Sequence, residues 1–580
     1  MGLLVTYAKP YWKKVSVTLL AVVLMAASTL VQPQFLEKMM NAIIKDDQQV
    51  ILQNGFFLLF FALVGIISGI TGTYFASQVS QSVAADIRLA EYQKIQSFSL
   101  QQVQDYSSAN LVVRLTNDIN QVQQLVMQAL QMVIRVPILF IGAIILAIWT
   151  LPSLWWIIFL MILCIVFSSK RLFAMMGRSF GKIQKLIDQN NTLAQENLAG
   201  VRVVKSFNQQ GQEEATFGKN TDDLTTVNRT IGYLFNLMFP IFMLISYAAI
   251  AGALLLISTT IKEAPDQLAK ITPFITYLNQ ILMALLMLGM ISTFASRGFV
   301  SLKRIRAVLE EKTDSETDQT DKVDLKTPTF LTDKLSVNKL SFTYPNAKKP
   351  VLQDLSFTLS AGQTLGIVGS TGSGKSTLAL LLARLYQGDD GGKITIDGQD
   401  IHKLKAAVWH QNVGIVMQKP VLFSGTIEQN LKMGKQDASE EELLSAVEAA
   451  QAADFVSAYP DGLKHEISER SANLSGGQKQ RLSLARALVK KPRLLILDDA
   501  TSALDARSEK RVQEVLATDF VQTTKVIIAE KITSIIHADQ ILVLDEGRIV
   551  GSGTHEELLL KSPFYQEIFN SQKGKEGNHE

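Results

Sequence analysis

Six long apolar stretches lie in the first 300 of the chain's 580 residues and constrain what that half can fold into. A helix needs about 20 apolar residues to cross a bilayer. The first stretch is longer than the apolar region of a cleaved signal peptide, so we interpret it as a retained helix. We therefore expect a six-helix, all-α transmembrane domain in the lipid bilayer over residues 1–309. The stretches lie near residues 15–39, 54–78, 129–150, 152–169, 234–258 and 271–296.

Basic residues are distributed unevenly among the connections between these stretches. Lys and Arg cluster on the cytoplasmic side of bacterial membrane proteins. They are frequent before the first stretch, between the second and third, and between the fourth and fifth, and they are sparse in the other connections. This predicts a multi-pass protein of the bacterial inner or plasma membrane, with both termini and the C-terminal domain in the cytoplasm.

The two basic connections are long, about 50 and 60 residues, and nearly free of proline. Structureless loops of that length are rare. We therefore expect the membrane helices to continue into the cytoplasm and to turn back there. The predicted turns are "YSSANLVVRLTND" (106–118) and "ENLAGVRVVKSFNQQGQE" (196–213). Such turns would offer a contact to the C-terminal half, including Gln418 and its neighbours.

Polar side chains within the predicted spans leave two interpretations open. They could face a translocation path, since such groups rarely face lipid, or they could make hydrogen bonds between helices. They are Gln32, Gln34, Arg135, Asn236, Asn279 and Gln280. The net charge of +3 gives no field that would indicate a nucleic-acid partner.

The chain after residue 309 has the charge and glycine density of an α/β domain. Residues 310–333 are polar without apolar periodicity and are expected to form a linker. A domain is expected over 334–573, with a polar tail at 574–580. The predicted fold is thus multi-domain, an all-α membrane domain followed by an α/β P-loop domain.

"LGIVGSTGSGKST" (365–377) has the pattern of an apolar strand, a glycine-rich turn and the start of a helix, matching G-x-x-x-x-G-K-S. In such a loop successive backbone N–H groups surround phosphate oxygens, and the lysine reaches the outer phosphates. We expect ATP to bind here and Ser376 to ligate Mg²⁺. The expected contacts are Gly369, Ser370, Thr371, Gly372, Ser373, Gly374, Lys375, Ser376 and Thr377.

"LLILDDATSALD" (494–505) supplies the second half of this site. Its apolar run predicts a buried strand that ends on Asp498. A carboxylate at that position holds the Mg²⁺ shell in nucleotide-hydrolysing P-loop proteins. Asp498 is therefore predicted to be a magnesium ligand.

"NLSGGQKQRLSLARAL" (473–488) resembles the signature of the ATP-binding cassette family. The resemblance implies that the signature of one cassette faces the P-loop of another, so that ATP hydrolysis coupled to transport requires a dimer. Ser475, Gly476, Gly477 and Gln478 would then contact ATP in trans. The resemblance runs from the first apolar stretch to "GTHEELL" (553–559), in the order of an exporter half of type IV.

Three further residues match the family's motifs. Tyr344 in "LSFTYP" is similar to the aromatic residue that stacks on adenine. Gln418 in "GIVMQKP" is similar to the glutamine that senses Mg²⁺ and the membrane domain, and it would join Ser376 and Asp498 at the metal. Asp505 in "SALD" is similar to the aspartate that communicates between the two sites.

The chain departs from the family's pattern at two positions. Where hydrolytic members have a catalytic glutamate, this chain has Asp499, and where they have a histidine that contacts the γ-phosphate, it has Glu530. Aspartate is one methylene shorter, and a misplacement of about 1 Å can cost about a hundredfold in rate. A carboxylate at 530 cannot donate to the γ-phosphate. This site is expected to be degenerate.

Three interpretations follow: a homodimer with two slow sites, a regulatory or channel-like ATP-binding protein, or one subunit of a heterodimer. The intact signature favours the third, because it would complete a non-identical partner's site. The chain then resembles bacterial heterodimeric multidrug exporters of the EfrCD and LmrCD type. That resemblance implies hydrophobic or cationic small-molecule substrates; a lipid or peptide exporter is the alternative.

Overall fold

The structure, a computed structural model, describes residues 2–260, 267–312, 334–345, 347–389 and 391–576. Most of the predicted linker (310–333) and the end of the predicted tail (574–580) lie outside these residues.

Two compact units make up the chain. The membrane unit comprises residues 1–96 and 108–311, and the P-loop unit comprises residues 97–107 and 312–580. The segment 97–107 therefore belongs to the P-loop unit although the sequence places it between membrane helices.

Six helical segments in the described residues are long and apolar enough to cross a membrane, which confirms the prediction. The helices in this part of the chain are α1 (Gly2–Ala8), α2 (Trp12–Ile44), α3 (Gln48–Gln96), α4 (Leu100–Tyr106), α5 (Ser108–Val113), α6 (Ile119–Thr150), α7 (Trp155–Ala199), α8 (Val201–Ser206), α9 (Gln210–Thr260) and α10 (Gln267–Leu309). Eight of these ten described helices form the six segments, while α4 and α8 lie in the connections. Short 3₁₀ turns at Lys9–Tyr11 and Pro152–Leu154 and a π-helical turn at Arg114–Asp118 belong to the same segments.

The membrane helices are much longer than a bilayer is thick. α3 has 49 residues, and at 1.5 Å per residue it extends about 73 Å, against a hydrocarbon core of about 30 Å. The helices therefore continue well beyond the apolar layer, as the proline-poor connections predicted.

The first predicted turn (106–118) was wrong in position. The chain turns at residues 97–107 instead, because Ser99 and Gln102 form a reciprocal capping box that starts α4. The stretch after Ser107 is already helical. The second turn lies within the predicted 196–213: α7 ends at Ala199, and α9 begins at Gln210.

Hydrogen bonds connect helices inside the membrane unit. The Tyr277 hydroxyl donates to the Leu30 carbonyl oxygen at 3.0 Å, and the Gln280 amide donates to that of Thr29 at 3.3 Å. Both join α10 to α2. The Gln280 Nε2 atom thus makes a hydrogen bond between helices, which is one of the two interpretations of the polar side chains in the spans.

The P-loop unit contains two larger sheets. One has six strands in the order β12-β11-β3-β10-β9-β6, and all of its neighbours are parallel except β11 and β12. The other is antiparallel in the order β2-β1-β4-β5, and β7 pairs with β8. The strands are β1 (Lys334–Phe342), β2 (Leu352–Ser360), β3 (Thr364–Gly369), β4 (Lys393–Ile396), β5 (Gln399–Asp400), β6 (Val413–Val416), β7 (Gly425–Thr426), β8 (Glu466–Ile467), β9 (Leu494–Asp498), β10 (Thr524–Ile528), β11 (Gln540–Asp545) and β12 (Arg548–Gly553).

Helices cover the six-stranded sheet. All five residues of β9 are buried, as expected for a parallel strand that is covered on both faces. The helices are α11 (Lys375–Leu382), α12 (Ala406–Asn412), α13 (Ile427–Lys432), α14 (Glu440–Ala449), α15 (Ala453–Val456), α16 (Gly476–Leu488), α17 (Ala506–Thr518), α18 (His555–Lys561) and α19 (Pro563–Glu576), with 3₁₀ turns at Ile401–Lys403, Gly462–Lys464, Glu469–Ser471 and Ile532–Ser534. The predicted fold class, an all-α membrane domain followed by an α/β domain, is confirmed.

The segment 97–107 is held in the P-loop unit by specific contacts. Leu100 packs against the core between the two sheets, and the Tyr386 hydroxyl donates to Gln104 Oε1. The Gln102 amide donates to the Lys312 carbonyl oxygen at 2.7 Å. The first turn between membrane helices thus contacts Tyr386, and the predicted contact of this turn with Gln418 stays a prediction.

Candidate nucleotide site

The carboxyl ends of four adjacent parallel strands place the predicted site residues side by side. The P-loop follows β3, Glu530 follows β10, Asp498 ends β9, and Gln418 follows β6. Ligands of open α/β sheets bind at this edge. The residues line one cavity of about 290 Å³: Val351, Thr371, Gly372, Gly374, Lys375, Ser376, Thr377, Gln418, Asp498, Asp499, Ile528 and Glu530.

The P-loop has the backbone that its glycines predicted. Gly372 and Gly374 have φ angles of +84° and +98°, which favour glycine. A Cβ atom on Gly369 would collide with the Leu544 carbonyl oxygen, and one on Gly374 would collide with the Leu352 side chain. α11 begins at Lys375, so its N-terminus opens into the cavity, where it can hold phosphate.

Lys375 bonds to its own loop. Its ammonium group donates to the carbonyl oxygens of Gly369 at 2.9 Å and Ser370 at 2.8 Å. Burial lowers the pKa of Lys375, while the nearby carboxylates of Glu530, Asp498 and Asp499 raise it. The lysine is thus the positive group of a cavity that three carboxylates share.

Ser376 and Asp498 form an oxygen pair suited to Mg²⁺. The Ser376 hydroxyl donates to Asp498 Oδ1 at 3.1 Å, and Asp498 is only 7% exposed. Burial raises the pKa of Asp498, and Asp499 raises it further, while the Ser376 hydrogen bond lowers it. Mg²⁺ prefers such oxygen ligands and would relieve the crowding of negative charge. The residues therefore fit the metal, with the exposed Gln418 on the same cavity.

Asp499 has a strained backbone and a hydrogen-bonded peptide. Its φ angle is +49°, its N–H donates to the Ile528 carbonyl oxygen at 2.9 Å, and its carbonyl oxygen accepts from the Ser502 hydroxyl at 3.0 Å. Burial raises the pKa of the Asp499 carboxyl, and the Glu530 carboxylate raises it as well. The turn after β9 thus fixes the position of the Asp499 backbone, from which its short side chain extends.

Glu530 is held by Gln572, a residue that no sequence motif indicated. The Gln572 side chain on α19 donates to the Glu530 carbonyl oxygen at 2.7 Å and accepts from the Ile532 N–H at 2.9 Å. A lone glutamine in a polar C-terminal segment carries no motif. Only the packing of α19 against the segment after β10 identifies it.

Tyr344 lies next to the cavity. Its hydroxyl oxygen is 3.1 Å from Thr377 Oγ1, and its ring meets those of Phe342 and Tyr386 edge-on. These contacts place the ring beside the P-loop helix. Its stacking on adenine stays a prediction.

Asp505 caps α17. Its Oδ1 accepts from the N–H groups of Arg507 at 3.1 Å and Ser508 at 3.0 Å, and the Ser508 hydroxyl donates to Oδ2 at 2.7 Å. The residue is exposed and is absent from the described lining of the nucleotide cavity. Helix capping alone explains these contacts, and communication between the two ATP sites through Asp505 stays a prediction.

The signature forms the start of α16. The Ser475 hydroxyl accepts from the Gln478 N–H at 3.3 Å, and Gln478 Oε1 accepts from the Ser475 N–H at 2.8 Å. A Cβ atom on Gly477 would lie 2.9 Å from the Ala503 carbonyl oxygen. No signature residue is among the described residues lining the chain's own cavity, and the signature's contact with ATP in trans stays a prediction.

Comparisons with known proteins agree with this architecture. Residues 352–502 match the family model described as ABC transporter, and residues 15–285 match that described as ABC transporter transmembrane region. An uncharacterized ABC transporter ATP-binding protein of Bacillus subtilis, YfiB, is 34% identical over 99% of both chains. An ATP-dependent lipid A-core flippase of Albidiferax ferrireducens is 31% identical over 97% of both.

The solved structure of a bacterial Atm1-family ABC exporter with ATP bound has a TM-score of 0.77 and 25% identity, over 97% of this chain and 98% of that one. Fold and site together define a multi-pass membrane protein with an ATP-binding domain that couples ATP hydrolysis to transport. The chain belongs to the ABC transporter family, and its fold is that of an exporter.

Proposed function

We propose that this chain is one subunit of a heterodimeric bacterial multidrug exporter, in which its own P-loop binds ATP with Mg²⁺ and hydrolyses it slowly. The observation that carries the proposal is that Asp499 and Glu530 line the same cavity as Lys375, Ser376 and Asp498. Both departures from the family's pattern therefore fall on one nucleotide site.

The chain's own residues suit nucleotide binding. The P-loop N–H groups and Lys375 would hold the phosphates, and Ser376, Asp498 and Gln418 would hold Mg²⁺, which neutralises charge on the phosphate oxygens when it is bound. To reach phosphate, Lys375 must exchange its bonds to the Gly369 and Ser370 carbonyl oxygens. The cavity therefore supplies both the anion contacts and the metal ligands.

The same residues are poorly suited to hydrolysis. A positioned general base contributes about 10²–10⁴ in rate, and the shortened Asp499 carboxylate starts from a backbone that hydrogen bonds hold in place. Glu530 brings a third carboxylate where a donor to the γ-phosphate would help. The arrangement favours retention of ATP over its cleavage.

The signature supports a partner with a complete site. Ser475 and Gln478 already form an intact capped helix start, which would present N–H groups to ATP on a non-identical half-transporter. Hydrolysis would then need the dimer. In this proposal both termini and the ATP-binding domain lie in the cytoplasm, and the substrates are hydrophobic or cationic small molecules.

A lipid exporter is the second candidate, and one observation favours it. Gln128 Oε1, Gln131 Nε2 and Arg135 Nε are buried on α6 without a hydrogen-bond partner among the described residues. Their spacing of three and four residues places them on one helix face. An arginine whose Nε lacks a described partner on such a face suits an anionic headgroup better than a cationic drug. The flippase relative is consistent with this candidate.

An ATPase assay tests the unequal sites. The tagged chain would be purified with the half-transporter that co-purifies with it. We expect Asp499→Asn to leave most of the ATPase activity and removal of the partner's catalytic glutamate to abolish it. Equal losses from the two changes would refute the proposal, and so would fast ATPase activity of the chain purified alone.

Transport into inverted vesicles separates the two substrate classes. ATP-dependent uptake of amphipathic cationic dyes supports the multidrug exporter. Flipping of a fluorescent anionic phospholipid without dye uptake supports the lipid exporter. A steady ion current that does not follow ATP turnover would instead indicate the channel-like alternative.

A further inference from the structure

Lys525 has a largely buried side chain and makes no close ion pair within the described part of the chain. It is the second residue of β10, the strand between β3 and β9, and is 5% exposed. Its ammonium group makes no hydrogen bond or ion pair with any described residue. The stem of Lys525 is therefore buried in the sheet, while its ammonium group reaches the accessible space of an adjacent cavity.

The Asp539 carboxylate raises the pKa of Lys525 by its charge, but it accepts a hydrogen bond from another group. Burial lowers the pKa of Lys525, and Asp539 offsets this only in part. Asp539 Oδ2 accepts from the Thr364 N–H at 2.7 Å, which directs the carboxylate to the start of β3. The ammonium group therefore keeps an unsatisfied preference for an anion.

Lys525 lines a cavity of about 380 Å³ that is separate from the nucleotide cavity. The described linings of the two cavities share no residue. α17, β10 and the segment after the Ile532–Ser534 turn enclose it, and Leu516, Ile527 and Ile535 supply apolar walls. Small-molecule sites are cavities of roughly 300–1,000 Å³ with apolar walls and a few polar groups. This cavity has that size and character.

We propose that this cavity binds a small amphipathic carboxylate, with its carboxylate group on Lys525 and its apolar body against Leu516, Ile527 and Ile535. Lys510, which is exposed, adds positive charge at the rim, and Glu514 opposes it. A cationic ligand would meet Lys525, and a neutral one would leave it unpaired.

Hydrogen bonds join the walls of this cavity to one another and to the turn after β9. The Gln513 amide donates to the Ser534 carbonyl oxygen at 3.3 Å, and the Thr501 hydroxyl donates to Glu509 at 2.9 Å. The Ser534 hydroxyl donates to the same Glu509 oxygen. The walls thus join the helix that Asp505 caps to the segment that follows Glu530.

Binding of 2-naphthoate to the full-length protein in detergent tests the proposal. The titration is done with saturating MgATP, so that the nucleotide cavity is closed to the probe. We expect saturable binding that Lys525→Met weakens at least about tenfold, the loss of one charge-assisted hydrogen bond. Lys525→Arg should stay within about threefold of the wild type because it keeps the cation. Lys510→Met, at the rim of the same cavity, is the matched control and should also stay within about threefold.

Two further measurements keep the test decisive. Neutral 2-naphthamide should bind the wild type and Lys525→Met equally, and Ala517→Trp, which blocks the mouth of the cavity from the exposed side of α17, should abolish naphthoate binding. Thermal unfolding and affinity for a fluorescent ATP analogue check that each variant is folded. Unchanged naphthoate affinity in both Lys525→Met and Ala517→Trp would overturn the proposal, as would the absence of saturable binding.

Discussion

Gln572 clamps the backbone of Glu530. Its side-chain amide donates to the Glu530 carbonyl oxygen at 2.7 Å, and its side-chain oxygen accepts from the Ile532 N–H at 2.9 Å. The C-terminal helix therefore fixes the segment that carries a carboxylate to the nucleotide cavity, 42 residues earlier in the sequence.

Gln572→Ala should loosen this segment. Two backbone groups lose their partners, and each unsatisfied group costs about 1–3 kcal/mol when it is buried. We expect a lower Tm and faster hydrogen exchange at residues 529–533. Ser571→Ala, at an exposed position one residue away, is the control and should change neither. Equal behaviour of the two variants would show that the clamp has no effect.

Ser475→Ala should affect the partner's site more than the chain's own. Loss of a helix-capping serine costs about 1 kcal/mol, and here it also removes a group expected to contact ATP in trans. We expect the ATPase rate of the heterodimer to fall at least about tenfold, while ATP affinity at the chain's own P-loop is retained. Ser439→Ala removes an equivalent capping box from α14 and should cost similar stability without loss of ATPase. A similar rate for both variants would contradict the assignment of the signature.

Asp498→Asn should stabilise the metal-free protein at neutral pH. The raised pKa of Asp498 means that the folded state disfavours its ionised form. That penalty is present in full above the folded-state pKa and disappears as the pH falls towards the ordinary value of 3.8. The gain in Tm should therefore shrink as the pH is lowered from neutral towards 3.8.

With MgATP bound, we expect the wild type to be more stable than the Asp498→Asn variant, the opposite of the order without metal. With MgATP at a hundred times its Kd, a binding-competent protein gains about 2.7 kcal/mol, and Asp498→Asn should lose most of that gain. Asp437→Asn changes an exposed carboxylate and should alter neither quantity. A metal-free Asp498→Asn protein that is less stable than the wild type at pH 7 would contradict the argument.

Asp499→Glu combined with Glu530→His should restore hydrolysis at this site. The measurement uses a heterodimer whose partner lacks its catalytic glutamate, so that background turnover is low. A positioned base contributes about 10²–10⁴, and we expect the double variant to gain at least about tenfold over the wild-type chain. Each single variant should gain less, because each leaves one carboxylate misplaced. No gain in the double variant would mean that other residues limit the site.

Sequence patterns predicted the architecture because each feature is local. The apolar runs identified six helices, and "LLILD" identified a buried strand that ends on Asp498. The P-loop, Gln418, Asp498 and Glu530 could be selected one by one from motifs. Their convergence on one cavity follows from adjacent parallel strands β3, β10, β9 and β6.

Other features depend on contacts between distant residues and had no local signal. Capping by Ser99 and Gln102 moved the first turn ahead of the predicted stretch, since several polar segments there could have ended a helix equally well. Gln572 and Lys525 were not predicted because their roles depend on residues distant in the sequence. Gln572 bonds the backbone after β10, and Lys525 lines an apolar cavity.

Lys375 cross-links the P-loop by donating to the carbonyl oxygens of Gly369 and Ser370. Replacing this lysine removes a structural cross-link as well as a phosphate contact. A Lys375 variant therefore loses both the cross-link and the expected phosphate contact. Hydrogen exchange at residues 369–374 without nucleotide separates the loss of loop order from the loss of ATP affinity.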